Sequence, residues 1–140
     1  MTTAPQPDWA TACAPSNEDI HALALAVRDN LPPPFLDHAR KVALVVEDMA
    51  GDDLLQEIDI EDPFELSGVY IGTPLVEKSL MDQPQAPDTI LLFRAPILDE
   101  WAARGTESLG HLVGHVYLHE LAHHFGWTDD EIAQVAPWMD

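Results

Sequence analysis

Proline interrupts this 140-residue chain so often that its apolar segments come only in short pieces. Leu31-Pro-Pro-Pro34 stops any helix before it, Pro63 falls in a loop, and Pro74, Pro84 and Pro87 mark a surface loop over 73–88. Pro137 ends the last helical pattern. A ring in place of the N–H removes a hydrogen bond that a helix interior or central strand needs. Pro96 stands where it helps, in the first turn of a helix reaching about Arg104, since the N–H groups there have no intrahelical partner. No apolar stretch approaches the ~20 residues of a membrane span. A chain of this length supports one domain with a single modest core.

The remaining pattern fills in the elements. Residues 1–15, rich in Ala, Pro and Thr, read as a flexible extension with Trp9 as its candidate anchor, and 16–140 as the domain. Ser16 followed by Asn17, Glu18 and Asp19 is an N-cap with an acidic first turn; Ile20, Leu23, Ala24, Val27 and Leu31 recur at helical spacing, predicting a helix over 17–30. A short helix or turn is expected over 35–40, a strand over 42–46, an acidic helix over 51–58 and a loop over 59–66. Further strands are expected over 67–72 and 89–93. A helix over 106–124 is closed by Gly126, and Thr128-Asp-Asp-Glu131 matches a capping box opening a last helix to about Ala136. This order predicts an α+β fold: a small three- to four-stranded sheet with helices packed mainly on one face.

Charge narrows the function. Six Lys and Arg against 25 Asp and Glu give a net charge of −19. Such a field repels phosphate backbones and anionic headgroups, so neither nucleic acid nor a membrane is an expected partner. Cys13 is the sole cysteine and cannot form an internal disulfide. The N-terminus shows neither the basic nor the apolar region of a secretory signal, so the expected location is cytoplasmic.

The chemistry concentrates in His119-Glu120-Leu121-Ala122-His123, an H-E-x-x-H in the predicted 106–124 helix. Residues four apart stand one turn above each other, so two imidazoles can converge on one metal ion. Glu120 is turned aside from that line, where it can take a proton from a water on the metal. With the chain's seven histidines, chance would supply the motif roughly 0.02 times. The longer string reads H-E-x-x-H-x-x-G-x-x-D: Gly126 lets the chain turn back and Asp129 follows as a candidate third ligand, with Asp130 and Glu131 as alternatives. Three protein ligands and one open position make a catalytic zinc site, where a structural one is closed.

These residues resemble the minimal zincin-like metallopeptidases. The resemblance rests on His119-Glu-Leu-Ala-His-His-Phe-Gly126 and Asp129-Asp130-Glu131, and extends to 42–48, 68–72 and 90–98, covering about 17–136. It implies a pared-down zincin fold with one zinc per chain on His119, His123 and Asp129, and Glu120 as general base. It further implies peptidase activity on a peptide or protein substrate.

Other residues carry weaker expectations. His115 remains near the metal face and is expected to stand behind the ligands or partly exposed; His111 has drifted round the side, and His124 points off the face toward packing or solvent. Gly110 and Gly114 hint at close approach of a neighbouring element. Tyr70, Arg94 and Tyr117 are candidates to stabilise an oxyanion. The strand over 89–93 is a candidate edge for pairing with a substrate backbone, or else an interior strand. The rival functions are a binding or regulatory module that zinc merely stabilises, and a hydrolase of some other amide or ester.

Overall fold

The computed structural model of the chain describes residues 9–72 and 88–126. The predicted last helix, Asp129, Asp130 and Glu131, and nearly all of the 73–88 loop lie outside the described residues.

Helix α1 (Asn17–Asp29) opens where Ser16 accepts the Asp19 N–H at 3.1 Å while the Asp19 carboxylate accepts the Ser16 N–H at 2.8 Å. This reciprocal capping box satisfies two otherwise orphaned donors. Helix α2 (Pro33–Ala39) uses the proline run as its first turn, so the residues that stop α1 also start the next helix. Strand β1 (Ala43–Glu47), helix α3 (Asp52–Glu57), a single 3₁₀ turn (Pro63–Glu65) and strand β2 (Gly68–Ile71) follow. Strand β3 (Thr89–Phe93) runs directly into helix α4 (Arg94–Arg104), two residues before the expected start at Pro96. Pro96 still falls in the first turn, where its missing N–H costs no helical bond. Gly105 closes α4 in the left-handed conformation (φ 73°), and Ser108 caps helix α5 (Leu109–His124) by accepting the His111 N–H. Those two residues move the start of α5 to 109 from the predicted 106.

Among the described residues the sheet is three-stranded and mixed, in the order β1-β3-β2. β1 runs parallel to β3, with Ala43 opposite Thr89 and Glu47 opposite Phe93; β2 runs antiparallel, with Gly68 opposite Leu92 and Ile71 opposite Thr89. The strand read from sequence as a possible substrate edge is therefore the interior one. Alternation along β3 divides the apolar side chains between the faces. Ile90 and Leu92 join Ile20 and Ala24 of α1 and Leu112, Val113, Tyr117 and Leu121 of α5 in the main core. Phe93 joins Leu55 and Leu66 in a smaller cluster on the other face, with Leu91 packed against it. The helices thus lie mainly on one face, as the composition of the elements predicts.

The N-terminal segment is held differently from expectation. Trp9 is 77% exposed. The Arg94 guanidinium instead donates to the Pro15 carbonyl at 2.6 Å and lies 3.8 Å from Asp48. Among the described residues, no helix is long and apolar enough to cross a membrane.

Candidate metal centre

Helix α5 is the platform of the site. Phe125 and Gly126 close it, the Gly126 N–H donating to the His123 carbonyl at 2.9 Å. Gly126 adopts φ 85°, as expected of a glycine that turns the chain off a helix end.

On the last two turns of α5, one donor atom each from His119, Glu120 and His123 lies within 4.8 Å of the others. All three side chains are half-buried. The rings of His119 and His123 stand 5.1 Å apart at 78° to each other. Among the described residues this is the one group of three ligating side chains so gathered. Ligands at ~2.0–2.1 Å from a tetrahedral zinc stand about 3.3 Å from one another, so the observed cluster is within a small side-chain adjustment of sharing an ion. Two imidazoles and a carboxylate are donors that zinc accepts. The residues fit the metal.

The other histidines of α5 separate cleanly. His115 is half-buried, its ring stacked 6.5 Å from His119 at 20°. His111 is exposed and bonded to Glu107 at 2.5 Å, and Glu107 also binds Arg104 at 2.7 Å. The His111 hydrogen bond, with Arg104 beside it, holds the Glu107 carboxyl below its usual range. His124, expected to pack or meet solvent, is 4% exposed and belongs to a polar network. Its Nδ1 lies 3.0 Å from the Tyr70 hydroxyl and 3.1 Å from Asp88 Oδ2, and that hydroxyl donates to the same Asp88 oxygen at 2.6 Å. Sequence reading passed over Asp88 entirely. The one local signal was an Asp directly ahead of an apolar strand, which is ordinary for a loop end.

The three oxyanion candidates resolve as follows. Tyr117 is buried at 2% exposure beneath α1, and burial pushes its phenol up to about 12. Standing two residues before His119, it points about 200° away around the helix. Arg94 lies past the end of β3 opposite to Asp88, six residues along, or roughly 20 Å of extended chain. Tyr70 is near the site but committed, its hydroxyl held protonated by burial and by Asp88.

A comparison with curated proteins found no match. A family model described as zincin-like metallopeptidase matches residues 39–138, which is more than half of the chain and takes in β1, β2, β3 and the whole of α5. With the H-E-x-x-H side chains gathered on α5 and an α+β frame behind them, the chain belongs to the zincin-like metallopeptidase family.

Proposed function

We propose that this protein is a cytoplasmic zinc-dependent peptidase. His119, His123 and Asp129 hold one zinc per chain, and Glu120 is the general base. The observation that carries this reading is the place of the Glu120 carboxylate, within 4.8 Å of donor atoms of both histidines. With Asp129 as the third ligand, Glu120 is not needed to hold the metal, and its place beside the histidine pair favours a base over a regulatory module.

Zinc bound there would act as a Lewis acid and lower the pKa of water. Glu120 takes a proton from the water that attacks the peptide carbonyl. It returns that proton to the leaving amine as the C–N bond breaks, so one carboxylate serves as base and then acid. His119 and His123 would hold the metal through ring nitrogens, one helical turn apart on α5. The substrate backbone adds to the outer edge of β2, which has no strand partner there among the described residues, in place of the interior β3. β2 packs against α5 through Gly68, where an added Cβ would stand 2.9 Å from Val116 Cγ1. An extended peptide or unfolded protein segment is the substrate class that such an edge accepts.

The test is Glu120→Gln, assayed on metal-loaded protein against a peptide library with mass-spectrometric readout. Hydrolysis is expected to fall by the ~10²–10⁴-fold that general acid–base catalysis contributes, with metal content and melting temperature unchanged. Cleavage surviving the substitution would refute Glu120 as base. No cleavage by the wild-type protein under any metal loading would leave a zinc-stabilised module.

A further inference from the structure

The Tyr70–Asp88–His124 network joins three elements: β2, the entry to β3, and the last turn of α5. Asp88 is 8% exposed and His124 4%. With the tyrosine proton directed at Asp88 Oδ2 at 2.6 Å, His124 Nδ1 faces a hydroxyl lone pair and a carboxylate. With the hydroxyl proton spent on Asp88, Nδ1 is the donor to the hydroxyl oxygen, and the carboxylate oxygen stands 3.1 Å from it. Gly72 makes room for this arrangement: it adopts φ 155°, and a Cβ there would stand 2.4 Å from Asp88 Oδ1.

A buried polar cluster of this kind costs desolvation that apolar packing would avoid, so its location matters. The final turn of a helix lacks onward hydrogen bonds for its carbonyls and is where fraying starts. In α5 that turn carries His123, and His124 is the next residue along the chain. The network therefore grips the turn that presents half of the histidine pair. Its partners come from the sheet, outside the helix.

We propose that Tyr70 and Asp88 are positioning residues: through His124 they hold the last turn of α5 against β2 and so set where the His123 imidazole stands relative to His119 and Glu120. The inference rests on reading His119 and His123 as metal ligands. It adds a coupling between the β2 edge and the metal centre, since Tyr70 belongs to the strand proposed to receive substrate.

The experiment uses cobalt(II) in place of zinc, reading affinity by titration and ligand geometry from the visible absorption band. Tyr70→Phe keeps the ring and removes the hydroxyl. His124→Leu removes the donor, and His124→Asn restores an N–H near the Nδ1 position. Tyr70→Phe and His124→Leu are expected to weaken cobalt binding about 10-fold, the lower end for loss of a supporting contact, and to shift the band. His124→Asn should recover most of both. Val27→Ala, which loosens α5 on its α1 side, should lower the melting temperature and leave the band in place. Wild-type band and affinity in Tyr70→Phe, with only a lower melting temperature, would overturn the proposal and reduce the network to packing. Should His124→Leu fail to fold, Tyr70→Phe decides alone. Absence of cobalt binding in the wild-type protein would overturn the metal reading and this inference together, an outcome distinct from a change confined to the variants.

Discussion

Two glycines one turn apart on α5 offer a measurement of how tightly the metal-bearing helix is seated. A Cβ built on Gly114 would stand 3.0 Å from Val27 Cγ2 of α1, whereas one on Gly110 would stand 3.6 Å from Leu23 Cδ2. The second distance is ordinary contact; the first requires Val27 to yield. Valine in a helix has one strongly preferred rotamer, so it yields at a cost. Either Gly→Ala change gains ~0.8–1 kcal/mol of helix propensity. Gly110→Ala is expected to keep that gain. Gly114→Ala sets it against an overpacking cost of ~1–3 kcal/mol, leaving the variant from neutral to ~2 kcal/mol less stable. For a domain of this size each kcal/mol moves the melting temperature about 3–5 °C. Measurement by urea and heat on chelator-treated protein avoids the added stability that bound metal confers. A double-mutant cycle with Val27→Ala should return a coupling of ~1–3 kcal/mol, the Gly114→Ala cost vanishing once the valine methyls are gone. His123, nine residues after Gly114, lies about 180° around the helix, so a rotation that relieves the overlap also moves the metal face. Zinc affinity should therefore fall in Gly114→Ala and hold in Gly110→Ala. Equal stabilisation by both substitutions, or a Gly114→Ala cost that survives Val27→Ala, would refute the close approach.

Further outcomes follow from the site. His119→Ala and His123→Ala should each lose bound zinc by elemental analysis, and stoichiometric zinc in the double variant would rule the pair out. Asp129→Ala should weaken zinc binding much more than Asp130→Ala, and the reverse order would move the third ligand. Tyr117 has its phenol raised to about 12 from 10.0, so above pH ~10 the unfolded chain releases a proton that the folded one keeps. Stability is fully present below ~10 and declines as pH rises toward about 12, by ~2 kcal/mol for this group. Tyr117→Phe should flatten that alkaline decline; an unchanged slope would exclude the buried phenol as its source.

The features legible in the sequence were those decided by neighbours along the chain. Ser16 with Asp19 three residues on, the Ile20–Val27 periodicity and the proline run fix α1 and its end, and they read out correctly. Gly126 as a helix terminator and the imidazole pair at 119 and 123 are local as well. Strand existence was local; strand order was not. Whether Thr89–Phe93 is an edge or the centre depends on a parallel partner more than forty residues earlier and an antiparallel one nearer by, and no residue within the strand records that choice. The same holds for Tyr70, Asp88 and His124. Each has an ordinary role where it stands, and only the fold places a phenol, a carboxylate and an imidazole on one another. Arg94 is the counter-case: its charge suggested catalysis, and its position past β3 assigns it to the Pro15 carbonyl.

Electrostatics and helix geometry act in one direction at the metal centre. His119 and His123 occupy the last two turns of α5, where the aligned peptide dipoles present their negative end and favour a cation. The chain around them carries a formal charge of −19, which lowers the potential a divalent ion meets on approach. Buried Asp88 is met at one oxygen by the Tyr70 hydroxyl, which donates at 2.6 Å, with His124 Nδ1 3.1 Å away. Burying a carboxyl group costs free energy unless polar partners converge on it. They converge here beside the turn that holds His123, so the interactions that make Asp88 tolerable are also those that tie the metal helix to the sheet.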